Sequence, residues 1–138
     1  MSGWSVSPVD FIGQVENDLV TMQRGIVLDL MFELVSNSAV DTGSYMANHL
    51  VSVGAPNYGT TLDLDALGTE AQNAARAAIS DLKPYSVVYV QNNVPYGEIL
   101  EFGGYNGPTI KVTSEGFSRM APRGTYGISF ISVAERWS

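Results

Sequence analysis

Glu98 and Glu101 stand three residues apart in Pro95-Tyr96-Gly97-Glu98-Ile99-Leu100-Glu101-Phe102, so on one helical turn their carboxyls share a face. Paired carboxyls can cleave glycosides or bind a divalent cation. The plainer reading makes them structural or interface acids that accept hydrogen bonds or pair with Arg123 of the Pro122-Arg123-Gly124 turn. Asp63 and Asp65 give a second acidic pair, superficially the start of a calcium loop. The glycine and closing glutamate of such a loop are not at the required positions. His49 is the only histidine. A serine-hydrolase set would have to recruit Ser44 and Asp41 beside it, crowding three groups into one short segment without a nucleophile elbow. No glycine-rich phosphate loop opens a helix. Tyr85, Tyr89, Tyr96, Tyr105 and Tyr126 lack interleaved Lys and Arg, so they read as core and interface aromatics, not a base-stacking platform. Cysteine is absent, which excludes disulfides and thiolate metal sites. These residues imply neither a cofactor nor a metal.

The 138 residues suit one domain, 1–138, with a modest core. No apolar run reaches the length of a membrane span. Met1–Ser5 has neither the basic nor the apolar region of a signal peptide, so the expectation is a soluble protein made in the cytosol. The formal charge of −7 is uneven: residues 1–101 hold all seven aspartates and five of the seven glutamates against Arg24, Arg76 and Lys83. The rest of the chain sets Lys111, Arg119, Arg123 and Arg136 against Glu115 and Glu135. Such asymmetry suits either a solvated surface or a basic edge meeting a neighbour's acidic one. Net acidity argues against tight DNA binding, but not against DNA passing through a channel.

The elements that must position these residues begin with a long helix. Ser7 is a natural N-cap, Pro8 fits the first helical position and Asp10 lies in the first turn. Apolar residues from Phe11 to Leu34 then recur at three- and four-residue steps. A helix over about 8–35 is about 42 Å long, more than a small sheet covers, so part of it is expected to meet another subunit. Gly25 mildly weakens its middle. Asp41-Thr42-Gly43 forms a turn. Tyr45–Val53 reads as a strand, with a helical turn at Ser44–His49 as the alternative, and 54–68 reads as a loop. A second helix starts at Thr69 with a Thr69/Gln72 capping box and ends before Pro84. Tyr85–Gln91 reads as a central strand, Pro95–Phe102 as a short helical turn stopped by Gly103-Gly104, and 110–113 as an edge strand. The last element fits a strand or a helix to Trp137, with a strand favoured for its front part. The fold expected is α+β: a mostly antiparallel sheet with the long helix and the alanine-rich helix on one face.

Three motifs in this order carry a resemblance. Ala39-Val40-Asp41-Thr42-Gly43 precedes a strand. Val94-Pro95-Tyr96-Gly97-Glu98 leads to Glu101-Phe102-Gly103, and Ala121-Pro122-Arg123-Gly124 precedes the last element. Together they resemble the tail-completion (neck, or head–tail connector) family of tailed bacteriophages, the lambda minor tail protein Z type. That family shows proline before the valine-aspartate-threonine-glycine turn, alanine where Gly97 stands and tyrosine where Phe102 stands. The resemblance spans nearly the whole chain and implies a structural virion protein, not an enzyme. It implies a sixfold or twelvefold ring of this chain at the head–tail junction, around passing DNA that is not specifically bound. The partners implied are a stopper, tail terminator or tail tube, with no membrane, in host cytoplasm during assembly and in the virion afterwards. Its motif and interface residues would be Asp41, Thr42, Gly43, Tyr96, Glu98, Glu101, Phe102, Gly103 and Arg123. A tail-terminator ring is the nearest alternative. Further off stand a small glycan hydrolase using Glu98 and Glu101, and a host-directed binding module.

Overall fold

Helix α1, Pro8–Asn37, opens as its first residues dictate. The Ser7 hydroxyl accepts a hydrogen bond from the Asp10 amide at 3.2 Å, and Pro8 occupies the first turn, where no amide donor is needed. A computed structural model describes residues 7–40, 43–105 and 111–138. After α1 come α2 (Ser44–Ala47), β1 (His49–Val53), α3 (Thr69–Ala78), β2 (Val88–Asn92), α4 (Gly97–Phe102) and α5 (Tyr126–Trp137).

The class is α+β, but helices dominate. The sheet among the described residues is β1 and β2 alone, antiparallel from His49↔Asn92 to Val53↔Val88. Three expectations of further or longer strand are thereby corrected. The segment 45–53 divides into α2 and β1, the second of the two readings. The strand at 85–91 starts later, because Tyr85 sits at φ 65°, a left-handed conformation that no strand residue adopts. It has one partner, so it is not central. The proposed edge strand near 110–113 is reduced to a single bridge, Val112↔Ser118, with Ile110 outside the described residues.

The last element is wholly helical. Tyr126, Ser129 and Val133 fall at helical steps on the face turned inward; Ser129 and Val133 are buried, while Phe130 and Ile131 stay exposed. That spacing overrides the short alternation of Ile128 and Phe130.

The core lies between one sheet face and three helices. Leu30, Met31 and Leu34 of α1, Ala71 and Ala75 of α3 and Val133 of α5 form one buried cluster, with the cross-strand pair Val51 and Val90 packed on it. Val27, Ile79 and Leu82 form a second beside it. Small Ala71 and Ala75 allow α3 to lie close against α1. Gly25 sits under the Trp137 indole, where a Cβ would stand 2.6 Å from a ring atom, so it makes room for the end of α5.

Only the second half of α1 belongs to this core. Its buried residues are Val27, Leu30, Met31 and Leu34, and Val20 is the first to pack partly against a cluster. Phe11, Ile12 and Met22 are each about half exposed, at 49, 55 and 47%. Among the described residues no helix is long and apolar enough to cross a membrane.

The 54–68 loop is pinned by side-chain amides. Asn48 bonds both the amide and the carbonyl of Thr61, and Asn93 donates to the carbonyls of Asn57 and Gly59. The expected Thr69/Gln72 box at the start of α3 does not form. Gly68 is the cap residue, at φ 75°, and buried Asp65 reaches in from the loop to accept from the Ala71 amide at 2.9 Å. Asp65 is thus a helix cap and not half of a calcium pair. Asp65→Ala should therefore lower unfolding free energy by about 1–2 kcal/mol in urea titration, whereas Thr69→Ala should stay within about 0.5 kcal/mol of the parent.

Candidate functional site

The elbow between β2 and α5 is built around Glu101. Helix α4 carries it in the last turn, and its carboxylate faces the first turn of α5. Oε2 accepts from the Thr125 and Tyr126 amides and Oε1 from the Gly127 amide, each at 2.8 Å. Thr125 gives no side-chain cap of its own, so Glu101 supplies one from a distant stretch of chain. A carboxylate at this helix end satisfies three otherwise orphaned donors and meets the positive end of the helix dipole. Gly124 permits the approach: it has φ 81°, and a Cβ there would stand 2.5 Å from the Glu101 carbonyl oxygen. Gly103 ends α4 at φ 75°, where a Cβ would stand 2.8 Å from the Glu115 carbonyl oxygen.

The motif residues take different roles around this elbow. Glu98 is exposed in the first turn of α4, and Phe102 is 77% exposed. Arg123 is exposed, and among the described residues it pairs with neither Glu98 nor Glu101. The suggested Glu–Arg123 bridge is replaced by the backbone cap, since the amides lie where the carboxylate points. Tyr96 immediately precedes α4, its ring 6.4 Å from that of Tyr45. Gly43, at φ 94°, accepts from the Ala47 and Asp65 amides and so joins α2 to the pinned loop. Asp41 and Thr42 lie outside the described residues.

Tyr45, Tyr96, Leu100 and Met120, with Ala39 and Val40 from just beyond α1, line a mainly apolar cavity of about 390 Å³. Lys111 contributes to its wall.

Behind the elbow lies a buried polar relay that the sequence did not disclose. His49 is 2% exposed. Its Nε2 is 2.7 Å from the Ser38 hydroxyl, and its Nδ1 is 2.8 Å from the Tyr126 hydroxyl. The Ser38 hydroxyl donates to the Leu34 carbonyl, so its oxygen accepts from Nε2–H. Nδ1 is then the acceptor, and Tyr126 donates to it. Burial pushes the Tyr126 phenol well above its ordinary value, which keeps that donor protonated. Burial also lowers His49 to about 4, so the ring is neutral. This polarity runs opposite to nucleophile activation, in which the imidazole would accept the serine proton.

The Ser44–His49–Asp41 set is therefore replaced by Ser38–His49–Tyr126, which ties α1, β1 and α5 together. The one legible signal was an isolated histidine in an apolar setting. Likewise both Glu101 oxygens accept backbone amides at the start of α5, whereas Glu98 stays exposed. Among the described residues, no three His, Asp or Glu side chains gather as metal ligands.

A second brace closes the far end of α5. Arg136 bonds Asp29 through Nε and Nη2 at 2.9 and 2.8 Å, and Nη1 is 2.9 Å from Glu33. The guanidinium holds the Asp29 carboxyl below its ordinary value. Asp29 and Glu33, one helical turn apart, were the available signal for it.

No protein-family model matches the chain, and neither a curated protein nor a solved structure does. Two measurements test the site. Glu101→Gln replaces a carboxylate oxygen by a donor facing donors, and should cost about 2–3 kcal/mol in chemical denaturation. Glu98→Gln should stay within about 0.5 kcal/mol. His49 takes up its proton near 6.5 when unfolded but near 4 when folded. Between those values the unfolded chain binds more protons, so this contribution to stability is present above the unfolded value and lost as pH falls. Stability should drop by roughly 2 kcal/mol from pH 7 to pH 5, and the His49→Gln variant should lack that component of the slope.

Proposed function

We propose that this chain is a structural ring subunit at the head–tail junction of a tailed phage, completing the tail or joining it to the filled head. The observation that carries the reading is the first half of α1. An amphipathic helix that buries one end and leaves an apolar stripe uncovered suits a subunit finished by its neighbours. The motif order described above supplies the phage assignment. The spent chemistry at the elbow supports a structural reading: Glu101 caps a helix, Asp65 caps another and His49 is sealed in a relay. In this role the chain acts by surface complementarity, with copies of itself and with a stopper, tail terminator or tail tube, while DNA passes through the ring. A tail-terminator ring would use the same kind of surface at the other side of the joint.

Mass spectrometry of purified particles should find the chain in the virion, and electron microscopy of necks should show a closed ring. Removing the gene should leave DNA-filled heads and separate tails. Joined, infectious particles without this protein would end the proposal.

A further inference from the structure

We infer that the outer edge of β2 and the Glu98/Phe102 face of α4 take up an extended segment of a partner protein, one carrying an apolar residue and a Lys or Arg at alternate positions. The inference goes beyond the ring reading and does not rest on it.

The edge is open. The Gly54 amide donates to the Val87 carbonyl at 2.8 Å, and the register pairs Val53 with Val88 and Ser52 with Tyr89. Bonded and non-bonded pairs alternate in an antiparallel ladder, so Tyr89 and Gln91 turn their backbone groups toward β1. Val88 and Val90 turn theirs away. Among the described residues, neither the amide nor the carbonyl of Val88 or Val90 meets another partner. Helix α3 lies against β1, while no helix lies closely along β2. Edge strands are usually guarded by a charge, a proline or a bulge. Strand β2 has none of these, and no charged residue occurs from 84 to 97.

Helix α4 supplies a wall beside this edge. Glu98 and Phe102, four residues apart, share a face of α4. With Val90, Gln91 and Asn92 they line one hollow of about 260 Å³. Phe102 is largely exposed, and Glu98 is exposed and holds no ion pair among the described residues. Side chains four apart on a helix stand about 5–6 Å from each other, and alternate side chains of a strand about 7 Å. A strand added to β2 can therefore set an apolar residue against Phe102 and, two positions on, a cation against Glu98.

Two observations choose the occupant. Unpaired amides and carbonyls repeating at every second residue match an extended backbone and not a helix, whose own groups are spent internally. The carboxylate beside them calls for a cation, and neither strand of a second copy offers one. Strand β1 is His49-Leu50-Val51-Ser52-Val53, with His49 buried, and β2 lies in the uncharged run. The occupant is thus a different polypeptide, held by main-chain hydrogen bonds and selected by two side-chain contacts.

Fluorescence anisotropy of the full-length protein with labelled heptapeptides tests the inference. The probe is Thr-Val-Thr-Lys-Thr-Val-Thr, and a control carries glutamate in place of the lysine. At low salt the lysine peptide should bind several-fold tighter than the glutamate peptide, and Glu98→Lys should reverse that order. Phe102→Ser should weaken the lysine peptide, and circular dichroism checks that each variant is folded. A strand turns only every second amide toward its neighbour. N-methylation of one alternate set of peptide amides should therefore abolish binding, and methylation of the other set should leave it. Equal effects of the two methylated sets would overturn the inference, as would a glutamate peptide that binds the parent protein as tightly, or no binding of either peptide. A stable dimer of the chain that the lysine peptide cannot enter would place a second copy on this edge and overturn it as well.

Discussion

The contact between the Glu101 carboxylate and the first turn of α5 holds the rest of the molecule in place. Three backbone amides at the start of a helix need acceptors, and α5 has no residue of its own in position to give them. The carboxylate fixes both where α5 begins and how it is oriented. From that start Tyr126 reaches His49, Ser129 lies against Asn37, Val133 enters the core, and Arg136 and Trp137 meet Asp29. The glycines on either side serve the same contact. Gly124 lets the chain close on the last turn of α4, and Gly103 turns it sharply away toward Glu115 and Phe117. An acid that invites a catalytic reading is thus the fastening of the fold.

With α5 fastened across α1, the two ends of the long helix acquire different roles. The C-terminal half is covered by α3, α5 and the sheet, and the relay of Ser38, His49 and Tyr126 seals its end. Among the described residues the N-terminal half has no such cover. Burying one half of a helix stabilises the other half by continuity of the hydrogen-bond ladder, since propagation costs far less than nucleation. An apolar surface can in this way be displayed on a formed helix without a folded partner beneath it. The buried relay contributes rigidity at neutral pH because its imidazole is neutral and both ring nitrogens are satisfied. Protonation would set a second donor against Asn92 and Tyr126.

Charge is distributed unevenly along the same chain. Acidic residues crowd the first two thirds of the chain, and cations gather in the segment leading to α5. The fold sets Glu16 and Asp18 near one end of α1 and Lys111 in the wall of the cavity near the other.

Local signals made much of this legible. Ser7, Pro8 and Asp10 determine where α1 starts, and the three- and four-residue apolar steps determine its length, because caps and periodicity act within a turn or two of chain. The helical turn at α4, the start of α3 near Thr69 and the left-handed glycines at 43 and 103 follow from the same short-range rules. The sheet was overestimated in part because the alternation of Ile128 and Phe130 is compatible with a strand until a helix cap is present. That cap comes from Glu101, 24 residues upstream of the first amide it accepts from. Asp65 likewise displaces the Thr69/Gln72 box from outside α3, and His49 finds Ser38 and Tyr126 across the fold rather than Ser44 beside it. The sequence by itself determined where the chain turns, where its helices can begin and that one of them is longer than its core. Tertiary structure alone decided which acids became caps and which half of α1 the core covers. Those outcomes depend on groups far apart in sequence meeting in space, and no local propensity encodes such a meeting.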